Sequence, residues 1–353
     1  MFTRICFASF LFVILVCISV IAAARQQNSP QTPPAADSKI YLDVVVSPKS
    51  GPPVTSLQQQ DFTLLDNKSP QTITSFEAFT GREASAQVVL VIDAVNTDAQ
   101  NIGYERIQID KFLRSEGGHL AYPLAIAVFT DKGIETVADF SSDGNALSAA
   151  LDSDNIGLRF INRSAGFYGA AERLQLSLQA LHRLAATTVP RPTRKVVLWV
   201  SPGWPLLSGP RVELDSKQQQ EVFADVVGFS TQLRQARITL DSVNPLGAGE
   251  SVFRGSYYEE FLNGVSKPSQ VNAGNLALPV LALQSGGRVL DFNNDLTGLL
   301  QQCMSDIAPY YEISFDPAPA ERPNEYHHLE VKIDKPGLTA RTRQSYYAQP
   351  LPH

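Results

Sequence analysis

The chain has 353 residues, 44% of them hydrophobic and 18% charged, with a formal net charge of −6. This is a globular composition, long enough for one large domain or two to three smaller ones. A mildly acidic chain without a block of Lys or Arg argues against nucleic acid or an anionic membrane surface as the partner.

The first element is Arg4 followed by an apolar run from Phe7 to Ile21, then Ala22-Ala23-Ala24 before Arg25. A positive start, an apolar stretch and a small-residue site make residues 1–24 a secretory signal peptide, cut after Ala24. The alternative is an uncleaved anchor, which would be the protein's only membrane contact. Cleavage removes Cys6 and Cys17 and leaves Cys303. One thiol makes neither an internal disulfide nor a cysteine zinc site, and in "LLQQCMSDI" it reads as buried and inert. The product is expected to be exported, and to stay in the periplasm, associate with the envelope or be secreted.

Residues 25–38 ("RQQNSPQTPPAADS") are rich in Pro, Gln and small side chains and read as a disordered linker. Residues 39–86 alternate short strands with turns: Tyr41 to Val46, the loop "SPKSGPP", the strand "DFTLLD", the turn "NKSP" and the strand "QTITSFEAF". From Gln87 to Ile307 continuous apolar strands alternate with amphipathic helices. "QVVLVID" is a buried strand, and the next stretch carries Ile102, Ile109, Phe112 and Leu113 at helical spacing. "YPLAIAVFT" and "IETVADF" form a hairpin through Asp131-Lys132-Gly133. "GNALSAALD" is a helix, as is the segment with the stripe Leu174, Leu178, Leu181 and Leu184. "KVVLWVS", the helix from Ser216, "RITLDSV", a short helix interrupted by Pro279, "GGRVLDF" and the helix "DLTGLLQQCMSDI" complete the series. Such a series makes an α/β, doubly wound, mostly parallel sheet covered on both faces, with one antiparallel edge strand. Residues 308–353 return to strands in "YYEISF", "HHLEVKI" and "ARTRQSYYA". Both chain ends are expected to pack together as one accessory β sheet.

Three blocks in this order carry a family resemblance: "VVVSPKSGPPVTSLQQQDFTLLDNKSPQTITSFE", "VVLVIDAVNT", and the tail from "YYEISFDP" to "TARTRQSYYA". With the β/α order between them, the chain resembles the von Willebrand factor type A-related proteins of acidobacteria and their relatives. The resemblance implies a Rossmann-like sheet with a ligand site above the carboxyl ends of its strands, in an adhesion or assembly module that binds protein partners through a metal ion, Mg²⁺ or Mn²⁺. It also implies a metal motif D-x-S-x-S, a threonine from a second loop and an aspartate from a third. Such ions take hard oxygen ligands. Asp93 and Thr97 match the first motif, but Val95 stands at the first serine position and brings no oxygen; Asn96 is displaced by one residue. The second loop reads Tyr168-Gly169-Ala170-Ala171, and the third Ser201-Pro202-Gly203, with Pro202 at the aspartate position. The site is therefore expected to be degenerate: either Asp93 and Thr97 hold an ion, or Asp93 accepts hydrogen bonds from its own loop.

An enzyme reading finds no G-x-S-x-G, H-E-x-x-H or phosphate loop. His327 and His328 are adjacent, so a strand points them to opposite faces, and His119 and His182 have no evident ligand partners. Candidate partner-binding residues are Asn96, Ser201 and Trp204 at the strand ends, with Tyr257 and Tyr258 in "FRGSYYEEFLN". Trp204 either anchors a partner or folds back on the neighbouring helix, and the tyrosines either recognise or cover. The expectation is an exported, non-catalytic protein-binding module with an unknown protein partner. The alternative is a structural scaffold of the envelope that needs no metal.

Overall fold

The order in which the central strands pair fixes where a site can form. In the computed structural model, residues 39–49, 51–80, 86–153, 166–188, 193–207, 214–247 and 257–351 are described. The expected signal peptide and linker lie outside them. Within this set β5 (Gln87–Asp93), β6 (His119–Thr130), β7 (Gly133–Asp143), β8 (Lys195–Val200), β9 (Ile238–Val243) and β10 (Val289–Leu290) make one sheet. Its order is β10-β9-β8-β5-β6-β7, parallel throughout except for the β6–β7 hairpin at the edge. The chain enters at β5, runs outward to β7, then returns to β8 beside β5 and runs outward the other way. This reversal between β5 and β8 is the topological switch of a doubly wound sheet.

Apolar residues on successive strand positions feed two cores because side chains alternate across the sheet. Val88, Leu90 and Ile92 of β5 join Leu198 and Val200 under α1 (Ala99–Leu113), α2 (Gly144–Ser153) and α6 (Leu296–Ser305). Val89 and Val91 join Val197 and Trp199 under α3 (Gly166–Thr188), α4 (Ser216–Gln235) and α5 (Leu278–Gln284). The leucine stripe of α3 is buried as its spacing requires. Pro279 does not interrupt a helix: it stands in the first turn of α5, where its missing N–H has no partner to lose.

The two chain ends pair, but into two sheets rather than one. β1 (Ile40–Pro48) and β4 (Ser75–Phe79) flank β11 (Tyr310–Phe315), with β13 (Leu338–Arg341) outside β1. β2 (Phe62–Asp66) lies between β3 (Ser69–Gln71) and β12 (Glu325–Ile333), with β14 (Ser345–Ala348) beyond. The β2–β3 hairpin turns through Asn67 and Lys68, with φ of 48° and 69°, the left-handed pair a tight hairpin needs, and β2 pairs on its other side with β12. Both sheets share one core around Leu42, Val44, Phe62, Leu64, Tyr311 and Val331. Arg237, just before β9, ties this accessory unit to the central sheet. Its guanidinium reaches Asp43 Oδ1 at 2.6 Å and also Glu312, which stand opposite each other on β1 and β11.

Candidate functional site

β5 ends at Asp93, at the carboxyl end of the sheet beside the β5–β8 reversal, where ligands of doubly wound sheets bind. Asp93 is fully buried, and protein donors use both of its oxygens. Oδ1 accepts from the backbone N–H of Val95 at 3.0 Å and of Asn96 at 2.9 Å, which bends the chain into a turn. Oδ2 accepts from Asn96 Nδ2 at 2.8 Å and from Trp199 Nε1 at 3.1 Å. Burial pushes the Asp93 carboxyl pKa up, while hydrogen bonds from Asn96, Trp199 and Ser201 pull against that rise.

Asn96 extends the network into α3. The same Nδ2 donates to Ser177 Oγ at 3.0 Å, and Ser177 donates in turn to the Arg173 carbonyl at 2.8 Å. Trp199 supplies the other wall, edge-on to Phe129 at 5.8 Å and to Trp204 at 5.3 Å between centroids. Trp204 is only 6% exposed, so of its two readings the outward anchor is excluded and the indole is folded back, onto Trp199 of β8 rather than onto a helix. The cause is local: Ser201 Oγ accepts from Gly203 N–H at 3.1 Å, and Gly203, at φ 108°, turns the chain back so that the indole packs against Trp199.

Thr97 is buried beside α1, where its hydroxyl favours the anionic form of Glu105. Neither Thr97 Oγ nor either Glu105 oxygen completes a well-formed hydrogen bond among the described residues. Glu105 is fully buried, its pKa pushed well up by burial and by the nearby charges of Asp93 and Asp98.

The ion site that the resemblance implies does not fit these residues. Asp93 has given both oxygens to N–H donors, buried Val95 offers none, and Pro202 holds the third-loop position. Among the described residues, no three His, Cys, Asp or Glu side chains converge as metal ligands. The tyrosine segment belongs elsewhere: Tyr258 is half-buried against the cluster of Phe261, Ala277 and Val280, and burial with Asp291 and Glu259 raises its hydroxyl pKa. The side chain of Tyr257 lies outside the described residues, as does Arg254. Among the described residues, the exposed apolar side chains at the carboxyl end of the sheet include Tyr168, 86% open in the first turn of α3, Leu206, 36% open after β8, and Phe292, 58% open after β10. His327 is tied to Asp66 at 2.8 Å and stacks on Tyr346, His328 is exposed, and His182 meets Gln232 at 3.0 Å.

The structure brings Asn96 and Ser201 against Asp93, and adds Trp199, Ser177 and Glu105, which the sequence did not single out. Glu105 did leave a signal: it lies three residues after Ile102 and four before Ile109, a carboxylate set into the apolar stripe of α1. Trp199 and Ser177 left none beyond their place in a buried strand and a leucine-rich helix.

No family model and no curated protein matches the chain. Among solved structures it is similar to an aerotolerance-related membrane protein from Bacteroides fragilis with multiple mutations to serines, at 14% identity over 63% of this chain and 98% of that one, with a TM-score of 0.36. It is similar to proximal thread matrix protein 1 from the mussel byssus with a zinc occupied MIDAS motif, at 10% identity over 68% of this chain and 49% of that one, TM-score 0.35. A third is the manganese-loaded Plasmodium vivax TRAP protein, at 10% identity over 80% of this chain and 100% of that one, TM-score 0.34. The chain spans about half the length of the mussel protein. At these identities and scores the likenesses carry nothing about the chemistry of the site. By its own strand order, edge hairpin and two-faced helical cover, the chain is a doubly wound, mostly parallel α/β protein.

Proposed function

We propose that the chain is an exported, non-catalytic protein-binding module that recognises its partner with the loops at the carboxyl end of the sheet, over a degenerate metal site. The observation that carries this reading is the saturation of Asp93 by Val95, Asn96 and Trp199. A carboxylate with four donors inside the protein works as a fixed post for the loop and has no oxygen left for an ion or a reacting group. The recognition surface is then what this post holds up: the Asn96 loop, the first turn of α3 with Tyr168, and the segment after β8 with Leu206. A rigid loop that presents an exposed tyrosine beside an aliphatic side chain suits protein recognition, because little ordering is left for the moment of binding. Ser177 and Ser201 serve backbone groups in the loop and helix, and neither pairs with a histidine base among the described residues. Export rests on the pattern of residues 1–24.

A photoreactive amino acid at position 206 tests the reading in the cell that makes the protein. A discrete adduct is expected, insensitive to chelator and reduced by Tyr168→Ala in the same chain. Adducts formed only from the accessory unit, for example from Glu77 on the edge strand β4, would replace the module by an envelope scaffold.

A further inference from the structure

We propose that the guanidinium of Arg343 holds a small monovalent anion of the chloride class, in a cavity at the seam between the accessory unit and the central sheet. The site sits at the amino end of β9, away from the recognition surface, and uses none of its residues.

Arg343 lies between β13 and β14 and enters the space between α4 and β9. Gly286 makes room for it: a Cβ there would stand 2.7 Å from the Arg343 backbone nitrogen, so close packing fixes where the side chain starts. Arg343 is only 7% exposed. It donates long bonds, from Nη1 to the Ser230 carbonyl at 3.5 Å and from Nη2 to the Ile238 carbonyl at 3.4 Å, at the outer limit of hydrogen bonding. A guanidinium has five N–H donors and keeps its proton at neutral pH, so unlike a carboxyl it cannot meet burial by becoming neutral. A buried charge of this kind needs an opposite charge beside it. Arg234 of α4 instead adds a charge of the same sign, and burial with that charge pulls the Arg343 pKa down to about 9. The acid that acts on Arg343 is Asp43, which already bonds Arg237 at 2.6 Å and lies 3.9 Å from Arg194.

Beside this guanidinium is a cavity of about 20 Å³, whose wall includes Tyr41, Asp43, Arg234, Arg237 and Thr239. A water needs about 10–15 Å³ of such space, so the cavity takes one particle of water size or slightly more and is too small for phosphate or sulfate. Three guanidiniums reach the wall against one carboxylate, and that carboxylate is bonded to Arg237. Ser285, also on the wall, spends its hydroxyl on the Leu240 N–H at 2.9 Å and the Ala282 carbonyl at 2.8 Å. A water would fill the space and leave the excess charge, whereas a monovalent anion fills it and cancels the excess. Half-exposed Tyr41 is on the wall, which gives the ion a way in from solvent. Tyr41 and Arg343 belong to the accessory unit, Arg234 and Thr239 to the α/β domain, so the ion pins one to the other.

The test uses the chain from Arg25 onward in sodium gluconate, whose anion is too large for the cavity, exchanged stepwise for NaCl at constant ionic strength. Wild type should broaden the ³⁵Cl nuclear magnetic resonance line, and bromide should compete. Its melting temperature should rise by about 3–6 °C at about ten times the dissociation constant. Arg343→Met removes the charge at similar length and should lose both effects while melting, in gluconate, no lower than wild type. Arg343→Lys keeps the charge without the fork and should need about tenfold more chloride, the scale of one charge-assisted hydrogen bond. A wild type that melts alike in both salts and broadens the line no more than Arg343→Met would overturn the proposal and put water in the cavity. An undiminished chloride response in Arg343→Met would also overturn it, by placing the ion elsewhere. If Arg343→Met does not fold, Arg343→Lys decides: a chloride midpoint equal to wild type overturns the assignment to Arg343. The adduct from position 206 reports on the module reading separately, so either idea can fail without the other.

Discussion

Replacing Asp93 with alanine measures how much of the recognition face depends on one carboxylate. The substitution strands the donors that now converge on it: Val95 N–H, Asn96 N–H, Asn96 Nδ2 and Trp199 Nε1. Asn96 is half-buried and can turn its donors toward water, and its Nδ2 keeps Ser177. Val95 and Trp199 are buried and cannot. Each stranded buried donor costs about 1–3 kcal/mol, so the two together cost roughly 2–6 kcal/mol. Relief of a desolvated charge offsets part of this, since burial pushes the Asp93 pKa up. A net loss of about 3 kcal/mol is expected, which lowers the melting temperature by about 6–12 °C in a domain of this size.

Trp199 and Trp204 are the only two tryptophans in the chain, and their rings are 5.3 Å apart, so intrinsic fluorescence during urea unfolding reads this site directly. Trp199→Phe removes the indole N–H and should reduce the cost of Asp93→Ala by about 1 kcal/mol, the coupling expected for residues in contact. If Asp93→Ala melts within about 2 °C of wild type and shows no coupling to position 199, the carboxylate is not the post of the loop, and the function built on it falls.

Glu105 should make stability fall as pH rises. Its native pKa lies well above the ordinary 4.5, so the folded chain keeps a proton that the unfolded chain releases. The contribution is complete below about 4.5 and is lost as pH climbs through the native value; a gap between wild type and Glu105→Gln that stays constant from about pH 4 to 8 would contradict this. Arg237→Met should cost about 3 kcal/mol by leaving Glu312 facing Asp43 with only Arg194, 3.9 Å from Asp43, as a cation. Adding Asp43→Asn and Glu312→Gln should restore much of that loss, and an unchanged urea midpoint in the single variant would refute the clamp. Cys303, on the buried face of α6 with its thiol pKa pushed well up by burial and by Asp241, should ignore a thiol reagent in the native state and react in urea.

The sheet was readable because its signals are local. "QVVLVID", "KVVLWV" and "ITLDSV" are too continuously apolar for any place except the middle of a covered sheet, and Asp131-Lys132-Gly133 marks its one hairpin. Pro279 was misread because a proline inside a helical pattern and one at its first turn look alike until the start of the helix is known. The pairing of the two chain ends was readable, but their division into two sheets depends on β12 and β2 meeting across more than two hundred residues. At the site, Val95 and Pro202 stand where the resemblance implies oxygens. The partners of Asp93 did not announce themselves, because Trp199 is an ordinary member of a buried strand until β8 is placed beside β5 in a register that opposes it to Val91. Trp204 shows the same limit: whether an indole after a strand faces out or in was set by one glycine's φ and one serine hydroxyl.

Asn96 ties Asp93 to α3, so Asn96→Asp tests that brace. The amide gives N–H bonds to Asp93 and Ser177. A carboxylate in its place loses both donated bonds and sets a second acid where Nδ2 stood 2.8 Å from Asp93. Two carboxyls that close cannot both ionise without a large cost, so Asn96→Asp should lose at least about 3 kcal/mol at neutral pH and recover part of it in acid. A loss that does not shrink in acid would mean that packing damage, rather than paired acids, weakens the variant. If it is as stable as wild type at neutral pH, the amide was never bridging Asp93 to α3.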